Sequence, residues 1–87
     1  MLTVELKHER AKGRTAEVAT LREASETVRL YISYFSLGNG NWQGGLVRQN
    51  GKRKYMISYN GRVWKYEPKG WTNTTPEITG EELDKPL

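Results

Sequence analysis

Two Asn-Gly dipeptides, Asn50-Gly51 and Asn60-Gly61, constrain what this chain can fold into more than any other feature. A two-residue hairpin loop of type I′ needs φ > 0 at both central residues, and Asn-Gly is the pair that tolerates it best. Between and around them lie short runs rich in Val, Ile, Tyr and Trp, so residues 44–67 propose a three-stranded antiparallel meander. With two-residue loops, Ile57 faces Trp64 and Tyr55 faces Tyr66, while Leu46 faces Tyr55 and Val47 faces Lys54. Side chains alternate across a sheet. One face then collects Leu46, Tyr55, Ile57, Tyr59, Trp64 and Tyr66, and the other Val47, Lys54, Met56, Ser58, Val63, Lys65 and Glu67. The aromatic face is the expected core face; a one-residue slip would exchange the two.

Upstream, Thr20-Leu-Arg-Glu23 is a capping box, in which the Thr20 hydroxyl accepts from the Glu23 N–H and the Glu23 carboxylate reaches back. Leu21, Ala24, Val28, Tyr31 or Ile32, and Phe35 recur at helical spacing behind it. Leu37-Gly38 offers a stop, with Gly38 in the left-handed cap conformation. Residues 27–35 are β-branched and aromatic and also alternate as a strand would; the cap and the uninterrupted length favour helix. Residues 2–9 alternate too, with Leu2, Val4, Leu6 and His8 on one side, which predicts a further strand at a sheet edge. Residues 10–19 read as a basic turn or loop. The glycine-rich stretch 38–45 reads as a flexible connection from helix to sheet, with Trp42 either covering the end of the core or exposed as a contact residue. A phosphate-binding loop would need a following helix N-terminus, and a strand follows instead.

The expectation is an α+β fold with one helix packed on a three- to four-stranded antiparallel sheet, in the order β-α-β-β-β. Residues 1–71 form a single small domain, with Trp71 as a lid. Residues 72–87 are polar, acidic and proline-containing, and are expected to be a disordered tail. The core is expected to comprise Leu21, Ala24, Val28, Ile32, Phe35, Leu46, Tyr55, Ile57, Trp64 and Tyr66. Helix followed by three strands over residues 20–67 is similar to the front part of a double-stranded RNA-binding domain. The closing helix of that family is replaced here by a Pro- and Thr-rich segment, and its basic motif has no counterpart, so no function is carried over.

Charge and composition narrow the function classes. At 87 residues, 36% apolar and 28% charged, the chain suits one modest core. It has no cysteine, so neither a disulfide nor a thiolate metal site is available. No apolar run approaches the roughly 20 residues of a membrane span, and the first residues lack a secretory core; a cytoplasmic protein without membrane association is expected. His8 is the single histidine and has no second imidazole or thiolate beside it in sequence. No nucleophile–base–orienter set is legible, so no catalytic, cofactor-binding or metal residues are expected. The formal charge of +4 is uneven: residues 1–76 carry thirteen Lys and Arg against six Glu, and the last eleven residues are net acidic.

A non-enzymatic binding module follows. A protein partner or self-association through a sheet face or edge ranks first, since uncovered semi-apolar faces and open edges mark such surfaces. Nucleic acid is the alternative, through the basic meander. The candidate contacts are Arg48, Lys52, Arg53, Lys54, Arg62, Lys65 and Trp42. What holds nucleic acid in second place is that Tyr55, Trp64 and Tyr66 cannot both pack on the helix and stack on bases.

Overall fold

A computed structural model describes residues 2–8, 13–38, 42, 44–70, 72 and 74–85. The elements run β1 (Leu2–Leu6), β2 (Arg14–Val18), α1 (Leu21–Tyr34), β3 (Leu46–Gln49), β4 (Lys52–Ile57), β5 (Val63–Lys65) and β6 (Glu77–Ile78), with a 3-10 helix at Gly80–Asp84. The strands form one open antiparallel sheet in the order β2-β1-β3-β4-β5-β6, and α1 covers one face. The α+β class and the antiparallel meander agree with expectation; the sheet has six strands rather than three or four. No described helix is long and apolar enough to cross a membrane. Trp71 lies outside the described residues.

The additional strands come from segments with weak strand signals of their own. β1 is an inner strand, not an edge, because residues 14–18 form β2 where a loop was expected: Val4 faces Ala16 on one side and Val47 on the other. The β2 sequence RTAEV buries little except Val18. Pairing with β1 satisfies the inward-facing half of its backbone groups, and that tertiary contact overrides its poor intrinsic preference. Similarly, the segment expected to be a disordered tail supplies β6, whose Ile78 and Glu77 face Val63 and Trp64. Its Ile78 and Leu83 pack against the core and Thr75 is buried, so even a polar segment contributes enough apolar contact to be held.

The 3-10 helix is clasped to α1 by Arg22, whose guanidinium donates to both oxygens of Asp84 (2.5 and 3.3 Å). That bond holds the Asp84 carboxyl below its ordinary value of 3.8. A lowered folded-state pKa contributes above the unfolded value and is lost as pH falls through the folded one. The clasp should therefore be complete at neutral pH and release only on strong acidification. Both partners are exposed, so its effect on global stability should be small. Leu83 methyl shifts followed by NMR should report release in acid, with Asp84→Asn producing the same shifts at neutral pH; shifts that ignore both changes would contradict the assignment.

α1 begins as its sequence implies. The Glu23 N–H donates to Thr20 Oγ1 at 3.2 Å, although the Glu23 carboxylate accepts from the Ala19 N–H rather than from Thr20. Leu21, Ala24, Val28 and Tyr31 are buried. The helix ends at Tyr34, and Ser36 (φ 52°) takes the left-handed position in place of Gly38; the Leu37 N–H returns to the Ile32 carbonyl at 3.0 Å. Such a 6→1 bond closes a helix end, and Ser pays a modest steric penalty to make it.

The two Asn-Gly turns are not alike. The first is type I′, with Asn50 at φ 52° and Gly51 at φ 83°. The second is a three-residue loop: Ser58 N–H donates to the Arg62 carbonyl and Gly61 N–H to the Ser58 carbonyl (both 2.9 Å), and only Gly61 is left-handed (φ 83°). Asn60 Oδ1 accepts from the Arg62 N–H and from Ser58 Oγ, a side-chain turn that competes with the two-residue form. Ser25 on α1 donates to the Gly61 carbonyl at 2.6 Å in a buried position, a contact that suits this loop form.

One residue of loop length inverts the meander. Ile57 faces Val63 and Met56 faces Trp64, where Ile57 opposite Trp64 was expected. At the first hairpin the loop is as expected, but a β-bulge between Val47 and Arg48 leaves Lys54 as the extra residue, so Val47 faces Tyr55 and Leu46 faces Met56. Val47, Ile57 and Val63 therefore point toward α1 and join Leu2, Val4, Leu6, Leu21, Ala24 and Val28 in the core. Of the residues expected in the core, Leu46, Trp64 and Tyr66 lie on the opposite face, Phe35 is 42% exposed, and Ile32 and Tyr55 are half-buried at the margin.

Gly61→Val remains destabilising despite the altered turn. The Gly61 φ stays positive, at 83°, where a β-branched residue is strained; the Arg29 guanidinium that a Cβ would meet can swing aside at little cost. The expected loss is about 1–3 kcal/mol, read as a lowered thermal midpoint. An unchanged midpoint would contradict this loop geometry.

Candidate binding face of the sheet

The face turned away from α1 has no element over it among the described residues. Where β3, β4 and β5 meet, it is hollowed into a trough of about 740 Å³. Its floor and walls are Leu46, Met56, Trp64, Tyr66 and Trp42, all half-buried, with Ser58, Asn60 and Arg62 at one end. Their placement follows from the registers. Leu46, Met56 and Trp64 are successive cross-strand partners, and Tyr66 stands two residues beyond Trp64, about 7 Å along the chain.

Polar groups fix the aromatic rings. Trp64 Nε1 donates to Ser58 Oγ at 3.2 Å, which pins the edge of the indole to the loop. Arg53 donates to the Tyr66 hydroxyl at 3.4 Å. Trp42 pairs with His8 in an isolated bridge, its ring centroid is 5.8 Å from that of Tyr31, and its Nε1 reaches the Ile57 carbonyl at 3.5 Å. Trp42 thus both closes the end of the core and walls the trough.

The basic candidates separate by face. Arg48 faces Thr3 and Arg53 faces Arg48, on the open side; Arg62 lines the trough. Lys54, the extra bulge residue, is exposed beside them. Lys52 faces Gln49 and Lys65 faces Tyr55, positions that belong to the helix side, so these two are not brought to the trough. Two of the arginines have carboxylate neighbours: Arg48 donates to Glu5 at 3.1 Å, and Arg62 lies 3.9 Å from Glu77 on β6. Arg53 and Lys54 contribute the freer positive charge.

Leu46, Met56, Trp64 and Tyr66 were not assigned to one surface from the sequence. A partial signal lay in Trp64 and Tyr66, whose N–H and hydroxyl need a partner when buried. The same criterion does not separate them from Tyr55, which packs at the core margin, or Tyr59, whose hydroxyl donates to the Leu37 carbonyl. The structure does not extend the likeness to double-stranded RNA-binding domains, since β6 and a short 3-10 helix follow β5 where that family has its closing helix. Comparison with protein-family models, with curated proteins and with solved structures gives no match.

Proposed function

We propose that the protein is a non-enzymatic binding domain whose open sheet face takes single-stranded nucleic acid. The observation that supports this is the release of Trp64 and Tyr66 from the core. With Val47, Ile57 and Val63 against α1, the two aromatic rings stand half-buried on the open face, where they can serve as stacking platforms. Stacking on an aromatic side chain contributes about 1–3 kcal/mol per base and tolerates any sequence. Bases splayed from a single strand present the faces this requires, whereas duplex bases do not. Arg62 lines the trough, and Arg48, Arg53 and Lys54 lie beyond its lining toward the β3–β4 turn, with Glu5 beside Arg48 and Glu77 beside Arg62. The acidic 3-10 helix is clasped on the far side against α1.

Titration with short single-stranded oligonucleotides, followed by tryptophan fluorescence at several salt concentrations, tests the proposal. Trp64→Ala should weaken binding roughly 5- to 150-fold, corresponding to about 1–3 kcal/mol. Arg53→Glu together with Arg62→Glu should weaken it and flatten the salt dependence, because fewer counterions are released. Lys52→Glu together with Lys65→Glu carries the same charge change on the helix side and should have much less effect. Equal losses from both sets would indicate diffuse attraction and remove the trough from consideration.

Leu46 and Met56 favour a second reading, an apolar protein partner seated in the same trough, because Trp, Tyr, Met and Arg together also characterise protein-binding patches. Absence of oligonucleotide binding at low salt would leave that reading in place of the first.

A further inference from the structure

The sheet has one long open edge and one short one. β2 offers five residues with no strand beyond them among the described residues, whereas β6, at the other edge, is two residues long. Beside β2, on the helix side, runs a second groove of about 720 Å³ lined by Arg14 and Ala16 below and by Leu30 and Tyr34 above. Leu30 is 71% exposed, Tyr34 82% and Phe35 42%. An unpaired edge alone would carry little weight. Here it is continuous with an apolar stripe on α1 that nothing in the described chain covers.

We infer that a second copy of this chain pairs along β2, joining the two sheets about a twofold axis through Ala16 and packing the two α1 helices over the seam. The self-complementarity of the residues selects this occupant. A twofold axis normal to the sheet keeps both helices on one side and requires like-facing residues to oppose. Centred on Ala16, it sets Arg14 against Val18 of the second copy and Thr15 against Glu17. Small Ala16 side chains meet at the centre. Val18 is followed by Ala19, whose N–H is held by the Glu23 carboxylate at 3.3 Å, so Arg14 of each copy arrives beside Glu23 of the other. Two opposite-charge contacts form by symmetry. A centre at Glu17 would instead press two carboxylates together, and a centre at Thr15 would carry Arg14 away from Glu23.

The areas are of the right size. The three exposed side chains leave on the order of 400 Å² in water, taking 150–250 Å² for a full aromatic. That is about half of the roughly 800 Å² that each partner gives to a stable interface, and strand pairing adds the remainder. This inference does not depend on the nucleic-acid reading, because none of its residues touches the trough.

Sedimentation equilibrium of the full chain over a wide concentration range tests it. The expected result is a monomer–dimer equilibrium that Leu30→Glu with Tyr34→Glu abolishes; both sites are exposed, so circular dichroism should show the fold intact. Arg14→Glu and Glu23→Lys should each weaken self-association at least tenfold, since like charges then meet twice. An equimolar mixture of these two variants should recover dimers, because both cross-contacts become opposite in sign. A monomer at every concentration overturns the inference. So does a dimer indifferent to the Leu30 and Tyr34 changes, or a mixture of the charge variants that stays monomeric.

Discussion

Gly45→Val should leave the chain unfolded at 25 °C. Gly45 sits where the backbone enters β3, at φ 114°, a conformation from which a Cβ is almost excluded. Its N–H donates to the Glu5 carbonyl at 2.6 Å and its carbonyl accepts from the Ile57 N–H at 2.8 Å, so this one residue links the end of β1 to the end of β4. A Cβ built there would lie against the Ile57 carbonyl oxygen, a backbone atom that cannot rotate away. Gly44 is confined as well, with the Lys7 backbone N and the Glu5 carbonyl in its path. Relief means moving β4 away from β1 and breaking both bonds. Strain of about 1–3 kcal/mol for the dihedral and about 1–3 kcal/mol for each orphaned backbone group together rival the roughly 4–13 kcal/mol available to a domain of this size. Loss of the far-ultraviolet dichroism and of any cooperative urea transition is expected. A folded variant with the parental midpoint would show that the approach of the strands is looser than described. The glycine-rich stretch is thus a close-approach device at its C-terminal end, not only a flexible connection.

The second large effect is a contrast between neighbours. Val47→Asp should abolish folding, while Leu46→Asp should cost about 1–2 kcal/mol. Val47 is fully buried between Val4 and Tyr55, where a carboxylate would find no partner. Isolated charges in such sites are among the few changes that exceed 4–5 kcal/mol. Leu46 is half-buried on the open face, where a carboxylate keeps its water. Thermal melts of the two variants decide between the observed bulged pairing of β3 with β4 and an unbulged one, which predicts the reverse order.

What the sequence made legible was local. The Thr20–Glu23 box marked the start of α1 to the residue, and Asn50-Gly51 marked a type I′ turn, because each is decided by neighbours within four positions. What it hid depended on distant atoms. The second Asn-Gly carries the same two residues as the first, yet it sits in a three-residue loop whose Gly61 carbonyl accepts from Ser25, far upstream on α1. With that loop length, Trp64 and Tyr66 fall on the open face rather than in the core. An uncovered, partly apolar face was anticipated, with Met56, Ser58 and Lys54 on it; its aromatic members were placed on the wrong side. β2 and β6 were missed because their own residues say little, and their partners supply what the residues lack.

The inner position of β1 has a consequence in time. Val4 emerges first but pairs with Val47, made roughly forty residues later. At about 5–20 residues per second, the growing chain waits on the order of 2–8 s before that partner exists. During the wait, β1, β2 and α1 can assemble locally, but one flank of β1 stays open, with Leu2, Val4 and Leu6 beside it. Contacts of this sequence separation slow folding, so β1–β3 pairing is the step at which a crowded nascent chain is most exposed to the wrong neighbour.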